Sequence, residues 1–237
     1  MEALAPSEEH GLTTKSRMMW VLLGLMLVEY ARGCGLSIGA WLFGPDRETL
    51  IAMGALSAER IDRGQIWRIP RSLFLHGDLL HLLFNGLAVW VLGRLGEAIY
   101  GAWRLLGILL LCGLAGALLS WSFGAQSTVG MSGAIFGLLG AQIVVGWRRL
   151  QEIPDDIGQA LRVQLPVWAV LNILLGFIIP MIDNASHIGG LIAGGVMGLI
   201  VADRWANIAF RRLRDGIWGG ASLGILVVAF VQIGFTL

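Results

Sequence analysis

Charged residues are scarce in this sequence. They make up 14% of its 237 residues, while 56% are hydrophobic; soluble domains carry about 25% charged residues. Too little polar sequence separates the apolar runs to form a water-facing core, so lipid is the expected solvent for most of the chain. Concentrated basic charge is missing as well. The 17 Lys and Arg are dispersed and the net charge is +1, which excludes the basic surface that a nucleic-acid partner requires. Cysteine is rare: Cys34 and Cys112 lie in apolar segments with no paired spacing and no nearby His, and read as small buried hydrophobes rather than metal ligands. There is no HExxH for a zinc enzyme and no pair of aspartates on facing spans for an aspartyl one, so neither a metal nor a cofactor is implied. The tail over residues 1–17 lacks the basic character of a cleaved signal peptide. It carries Glu2, Glu8 and Glu9, and the first apolar run is expected to be a retained anchor.

What the chain has instead is a series of apolar runs. A spanning helix needs about 20 mostly apolar residues, and seven stretches qualify: 18–42, 78–99, 103–123, 129–147, 163–181, 185–203 and 215–236. The expected class is therefore an all-α membrane protein with seven spans, in direct contact with the bilayer. The connection over 43–77 is too apolar for a free loop and too interrupted for a span, which predicts short amphipathic pieces in the membrane interface. Its Trp67 suits that depth. With the N-terminus cytoplasmic, eleven Lys and Arg fall on inner segments and five on the long first loop. That bias predicts N-terminus in and C-terminus out. No internal repeat of the transporter kind is present.

Polar side chains inside spans cost about 2.5–3.5 kcal/mol per charge on insertion scales, so each needs a reason. His81 and Asn85 fall early in span two, Ser132 at the start of span four, and His187 at the start of span six. Even-numbered spans run in one direction, so all four share one depth, in the outer half of the bilayer. A serine hydroxyl needs a general base, and histidine is the usual one; Ser132 and His187 supply that pair. Attack on an amide then places negative charge on the carbonyl oxygen, which fixed donors must meet. His81 and Asn85, four apart on one helical face, are candidates beside the backbone N–H of Ser132. Gly190, Gly194 and Gly198 share the His187 face of span six, and Gly133, Gly137 and Gly140 line span four. Small residues at such spacings let membrane helices approach backbone to backbone. Taken alone, this pattern also admits a transporter or proton relay.

Four stretches carry a resemblance: Trp67 and Arg68, HGDLLHLLFN from His76 to Asn85, GMSGAIFG from Gly130 to Gly137, and SHIGGLIAGG from Ser186 to Gly195. In this order they resemble the motifs of the rhomboid family of intramembrane serine proteases, over roughly residues 50–200. The resemblance implies a six-helix core over 18–203, with 43–77 as its first loop, and a basic connector and extra helix over 204–237. It implies Ser132 as nucleophile, His187 as general base, no third acidic member, and His81 and Asn85 as oxyanion donors. Trp67 and Arg68 match the first-loop signature, and Glu97 a structural acidic position. Phe136 stands where an aromatic ring packs on the catalytic histidine; some members carry Tyr there. Ser186 replaces a common Ala. His76 matches a frequent family histidine and reads as a loop or structural residue. Glu29 and Arg32 are spaced to pair within span one. The implied function is hydrolysis of peptide bonds in or near transmembrane segments of other membrane proteins, with substrate entering past span five near Trp168 and Phe177. The implied setting is a prokaryotic plasma membrane, with the site opening outward. The alternative is a catalytically silent relative that binds membrane helices without cutting them.

Overall fold

Gly35 ends the first helix earlier than the apolar run does. The computed structural model describes residues 17–201 and 211–231, leaving out side chains at 211–214 and 231. In it α1 (Arg17–Cys34) stops where Gly35 takes a positive φ of 53°. Such a left-handed residue cannot continue a right-handed helix. Ser37 then caps a separate short helix, α2 (Ile38–Phe43), by accepting the Ala40 N–H. The single span expected over 18–42 is thus a helix of 18 residues and a detached turn of exposed apolar helix. Hydropathy registers both as one run because it does not see the break.

The first loop folds as short helices, α3 (Arg47–Met53), α4 (Ala58–Asp62) and α5 (Arg68–Arg71), with a 3₁₀ turn over Ser72–Phe74. It packs into the protein more deeply than interfacial pieces would. Ala55, Leu56, Phe74 and Leu75 are buried, as are Arg68 and Arg71. Arg68 explains how a loop this long stays ordered: Nη1 donates to the Ile51 and Ala55 carbonyls at 2.6 and 3.0 Å, and Nε to Gln65 at 2.7 Å. Its guanidinium also lies over the Trp67 ring at 4.8 Å. Burial, with the nearby Arg60, lowers its pKa to about 10, so it remains a cation at neutral pH. The half-buried Trp67 ring rests against Gly54, where a Cβ would meet it at 2.5 Å. Glu29 does pair with Arg32 at 3.1 Å. It also forms a fully buried ion pair with Arg71 of α5, a partner 42 residues away that local spacing could not reveal.

The remaining helices are α6 (Leu79–Tyr100), α7 (Ala102–Ser122), α8 (Ser132–Arg148), α9 (Asp155–Gln159), α10 (Leu165–Ile178), α11 (Asn184–Ile200) and α12 (Arg211–Val231). A π-helical turn over Ala160–Gln164 joins α9 to α10. Among the described residues the molecule is all-helical, save for an isolated antiparallel bridge between Leu56 and Thr128. Leu79–Tyr100, Ala102–Ser122 and Asp155–Ile178 are long and apolar enough to cross a membrane. The apolar helices Asn184–Ile200 and Asp215–Phe230 are shorter, and α8 has 17 residues. Seventeen residues rise about 26 Å, less than the roughly 30 Å hydrocarbon core. The expected tail, the connector from 204 to 210 and the end of the last span lie outside the described residues.

At the centre α11 packs between α7 and α8, with α6 beside them, α1 against α6, and α10 at the periphery. The close approach of α8 and α11 follows from glycine. A Cβ at Gly190 would strike the Gly133 carbonyl, one at Gly194 the Gly137 carbonyl, and one at Gly198 the Ala141 carbonyl at 2.7 Å. On α8, Gly137 faces Cys112, a free buried thiol, and Gly140 faces the Leu191 carbonyl. Lipid offers no hydrophobic force between helices, so this contact rests on dispersion between backbones that nothing larger could bring so near. The last helix, α12, lies on α7 and α5. Trp218 covers Gly107, Asp215 pairs with Arg104 at 3.1 Å, and Phe230 meets Phe74 with centroids 5.0 Å apart.

Candidate active site

Three helices begin at one end of the bundle, and each contributes a polar side chain in its first turn. Asp78 caps α6 by accepting the His81 N–H at 2.8 Å. Asp183 caps α11 by accepting the Ser186 N–H at 2.9 Å. Ser132 is the first residue of α8, so its backbone N–H has no intrahelical carbonyl to bond. Three helix starts direct the positive ends of their dipoles toward the same region, which favours an anion there.

The Ser132 Oγ lies 2.8 Å from His187 Nε2. The histidine is buried and the serine only partly so, which leaves the hydroxyl reachable while its partner is shielded. The Phe136 ring lies one turn beyond Ser132 and stacks on the imidazole, with centroids 4.2 Å apart and planes 11° from parallel. His187 Nδ1 has no hydrogen-bond partner among the described residues. The serine thus sits on one ring nitrogen of the histidine, and no carboxylate among the described residues bonds the other.

Gly130 brings the turn before Ser132 close against α6. Its φ of 118° is one that only glycine adopts readily, and a Cβ there would meet His81 Nε2 at 2.6 Å and Asn85 Nδ2 at 3.6 Å. Both side chains therefore flank the turn that leads into Ser132. His81 Nδ1 accepts the Gly77 N–H at 3.5 Å, a contact that favours the tautomer with the ring proton on Nε2, on the Gly130 side. The Asn85 amide donates one hydrogen to the His81 carbonyl at 3.0 Å and retains a second.

His76 lies beside this group but is not part of it. It is buried, its ring meets that of His81 edge-on at 5.1 Å, and neither of its nitrogens makes a hydrogen bond of good geometry. Burial, reinforced by the His81 ring and opposed slightly by the Phe74 backbone, pushes its pKa down to about 3. Glu97 lies about four turns beyond His81 on α6, far from that end of the bundle. Trp67 and Arg68 serve the first loop. Trp168 and Phe177 stand exposed on α10. No group of three or more His, Cys, Asp or Glu that could hold a metal occurs among the described residues.

The Rhomboid domain family model matches residues 63–204. The chain belongs to the rhomboid family. Its similarity to the Rhomboid protease GluP of Bacillus subtilis (strain 168) is 35% identity over 188 residues, covering 79% of this chain and 34% of that protein. RHOMBOID-like protein 5 of Arabidopsis thaliana is 36% identical over 166 residues, covering 68% of this chain and 52% of the relative. Rhomboid-like protease 3 of Toxoplasma gondii is 29% identical over 192 residues, 78% of this chain and 68% of the relative. This rhomboid thus spans about a third of the first relative and half of the second. With its apolar helices it is a multi-pass integral membrane protein.

Sequence reading missed the residues that hold this rhomboid's site in place. Asp183 accepts hydrogen bonds from Ser120 and, at 2.8 Å, from Thr128, in addition to capping α11. Asp78 and Gly77 orient His81. Both aspartates precede apolar runs at positions typical of helix caps, a signal that was available. Which residues their free oxygens would meet was not.

Proposed function

We propose that this rhomboid is an intramembrane serine endopeptidase. The reading rests on the 2.8 Å contact between Ser132 Oγ and His187 Nε2, set where three helix N-termini and two side-chain donors converge. His187 Nε2 takes the Ser132 proton as Oγ attacks the scissile carbonyl carbon. The oxyanion is met by the Ser132 backbone N–H, His81 Nε2–H and the remaining Asn85 amide hydrogen. On collapse the C–N bond breaks, and His187 delivers its proton to the departing amine. Water then gives a proton to the same nitrogen, attacks the acyl carbon, and restores Ser132. Phe136 holds the imidazole plane through these transfers.

The proposed substrates are transmembrane segments of other membrane proteins. They reach the dyad laterally past α10, whose exposed Trp168 and Phe177 face lipid. In the proposed arrangement residues 18–203 form a six-span core, 43–77 its first loop, and 204–237 a connector and seventh span. The N-terminus is cytoplasmic, and the site opens to the outer side of a prokaryotic plasma membrane. The shortness of α8 and α11 supports a recessed site, because a helix of about 26 Å cannot reach both surfaces.

Purified protein in detergent or bilayer is expected to cleave a helical membrane substrate, and to react at Ser132 with a fluorophosphonate. Ser132→Ala and His187→Ala should each lower cleavage by about 10³-fold or more with the fold intact. Undiminished cleavage in Ser132→Ala overturns the mechanism. A folded protein with no Ser132-dependent labelling would instead be a silent binder of membrane helices.

A further inference from the structure

Asp183 carries three hydrogen bonds that join three separate parts of the site. Its Oδ1 accepts the Ser186 N–H at 2.9 Å, fixing the first turn of α11 one residue before His187. Its Oδ2 accepts from Ser120, in the last turn of α7, and from Thr128 at 2.8 Å. Thr128 lies four residues before Ser132. Its own backbone is clamped to the first loop in both directions, Leu56 N–H to Thr128 O at 2.9 Å and Thr128 N–H to Leu56 O at 3.0 Å. One carboxylate therefore ties the helix bearing the base to the loop that leads into the nucleophile, with α7 and the first loop as the frame.

The packing leaves this junction no slack. Ser186 is wedged between helices: a Cβ on Gly116 of α7 would meet its carbonyl oxygen at 2.5 Å, and one on Gly133 of α8 its Oγ at 2.5 Å. Asp183 is not a third catalytic group. Its oxygens are committed to Ser186, Ser120 and Thr128, and His187 Nδ1 has no partner among the described residues. The carboxylate bonds no atom of the imidazole; apart from the attraction of its charge for that ring, it acts on His187 through the backbone of α11. Ser120 is fully buried, so its hydroxyl has no water to turn to when the carboxylate is removed.

We propose that Asp183, with Ser120 and Thr128, is the positioning junction that sets the distance between His187 and Ser132. The proposal rests on the dyad reading above, so its test is built on a reaction that needs no proteolysis. In a Ser132→Cys background, the thiol is activated by the same imidazole and its alkylation by iodoacetamide reports their approach. Cys34 and Cys112 are buried and supply the slow background. Adding Asp183→Ala should slow alkylation of folded protein about tenfold or more, since displacements of about 1 Å in such contacts cost rates of that order. Asp183→Asn keeps the oxygen that caps Ser186 and should recover part of the rate. Thr128→Val should slow it less than Asp183→Ala, with the melting temperature near that of the parent. Equal alkylation rates in the parent and folded Asp183→Ala overturn the junction. So does a rate that falls only in proportion to the folded fraction. Absence of fluorophosphonate labelling in the unsubstituted protein would instead remove the hydrolase reading and leave the alkylation result standing.

Discussion

The neutral His76 ring makes acid a specific threat to this protein. An unfolded chain protonates its histidines near pH 6.5, whereas burial holds folded His76 at about 3. Between those values the unfolded state binds more protons, so stability falls as pH drops from 6.5 toward 3 and gains nothing from this group above 6.5. His76→Phe should flatten that dependence; melting temperatures at pH 7 and pH 4.5 would test it, and an unchanged slope would exonerate His76. Phe136 poses a question of geometry at the same scale. Its stacked ring limits rotation of the His187 imidazole, so Phe136→Ala is expected to lower kcat about tenfold with a smaller change in KM. Phe136→Tyr preserves the plane and should stay within a few-fold of the parent. A larger loss in Tyr than in Ala would mean that the ring acts by something other than stacking.

At the scale of elements, the contact between Ser132 and His187 depends on how closely α8 and α11 lie. Gly194 and Gly195 are neighbours that answer this differently. A methyl at Gly194 would run into the Gly137 carbonyl, while at Gly195 it meets nothing within 4 Å. Gly194→Ala should cost about 1–3 kcal/mol through overpacking and, on the proposed mechanism, reduce turnover per folded molecule by moving His187 from Ser132. Gly195→Ala should change neither. Equal melting temperatures and rates for the two variants would show that the interface yields. The glycine periodicity of both helices was legible along the chain, because small residues at such intervals have one use in lipid. The end of α1 was not, since a single positive φ at Gly35 is invisible to a hydropathy window.

For the whole molecule, the buried Glu29–Arg71 pair links α1 to the first loop, and the Arg71 guanidinium also lies 5.0 Å over the Phe230 ring of α12. Removing Glu29 leaves the buried Arg71 guanidinium with no counter-charge, although its Nε still donates to the Met53 carbonyl. Glu29→Ala should therefore destabilise by about 3 kcal/mol or more, whereas the double replacement Glu29→Leu with Arg71→Met should recover most of the loss. Thermal unfolding in detergent compares them, and a double variant no better than the single one would assign the cost to packing. The same contact explains how the last helix stays attached: α12 is held at one end by Arg104–Asp215 and at the other by Arg71, Phe74 and Phe230.

From the sequence alone came the membrane class, the approximate helices, and the four side chains that share one end of the bundle. These follow from composition and from periodicity along the chain, which the bilayer and the helix dictate locally. Only the tertiary structure decided that Ser132 and His187, 55 residues apart, meet at 2.8 Å. It also decided that Glu29 reaches Arg71, and that Asp183 draws Ser120 and Thr128 together. Each of these depends on the relative rotation and depth of separate helices, which no one-dimensional pattern records. Rotation and depth are set by where glycine carbonyls touch and where buried donors find acceptors.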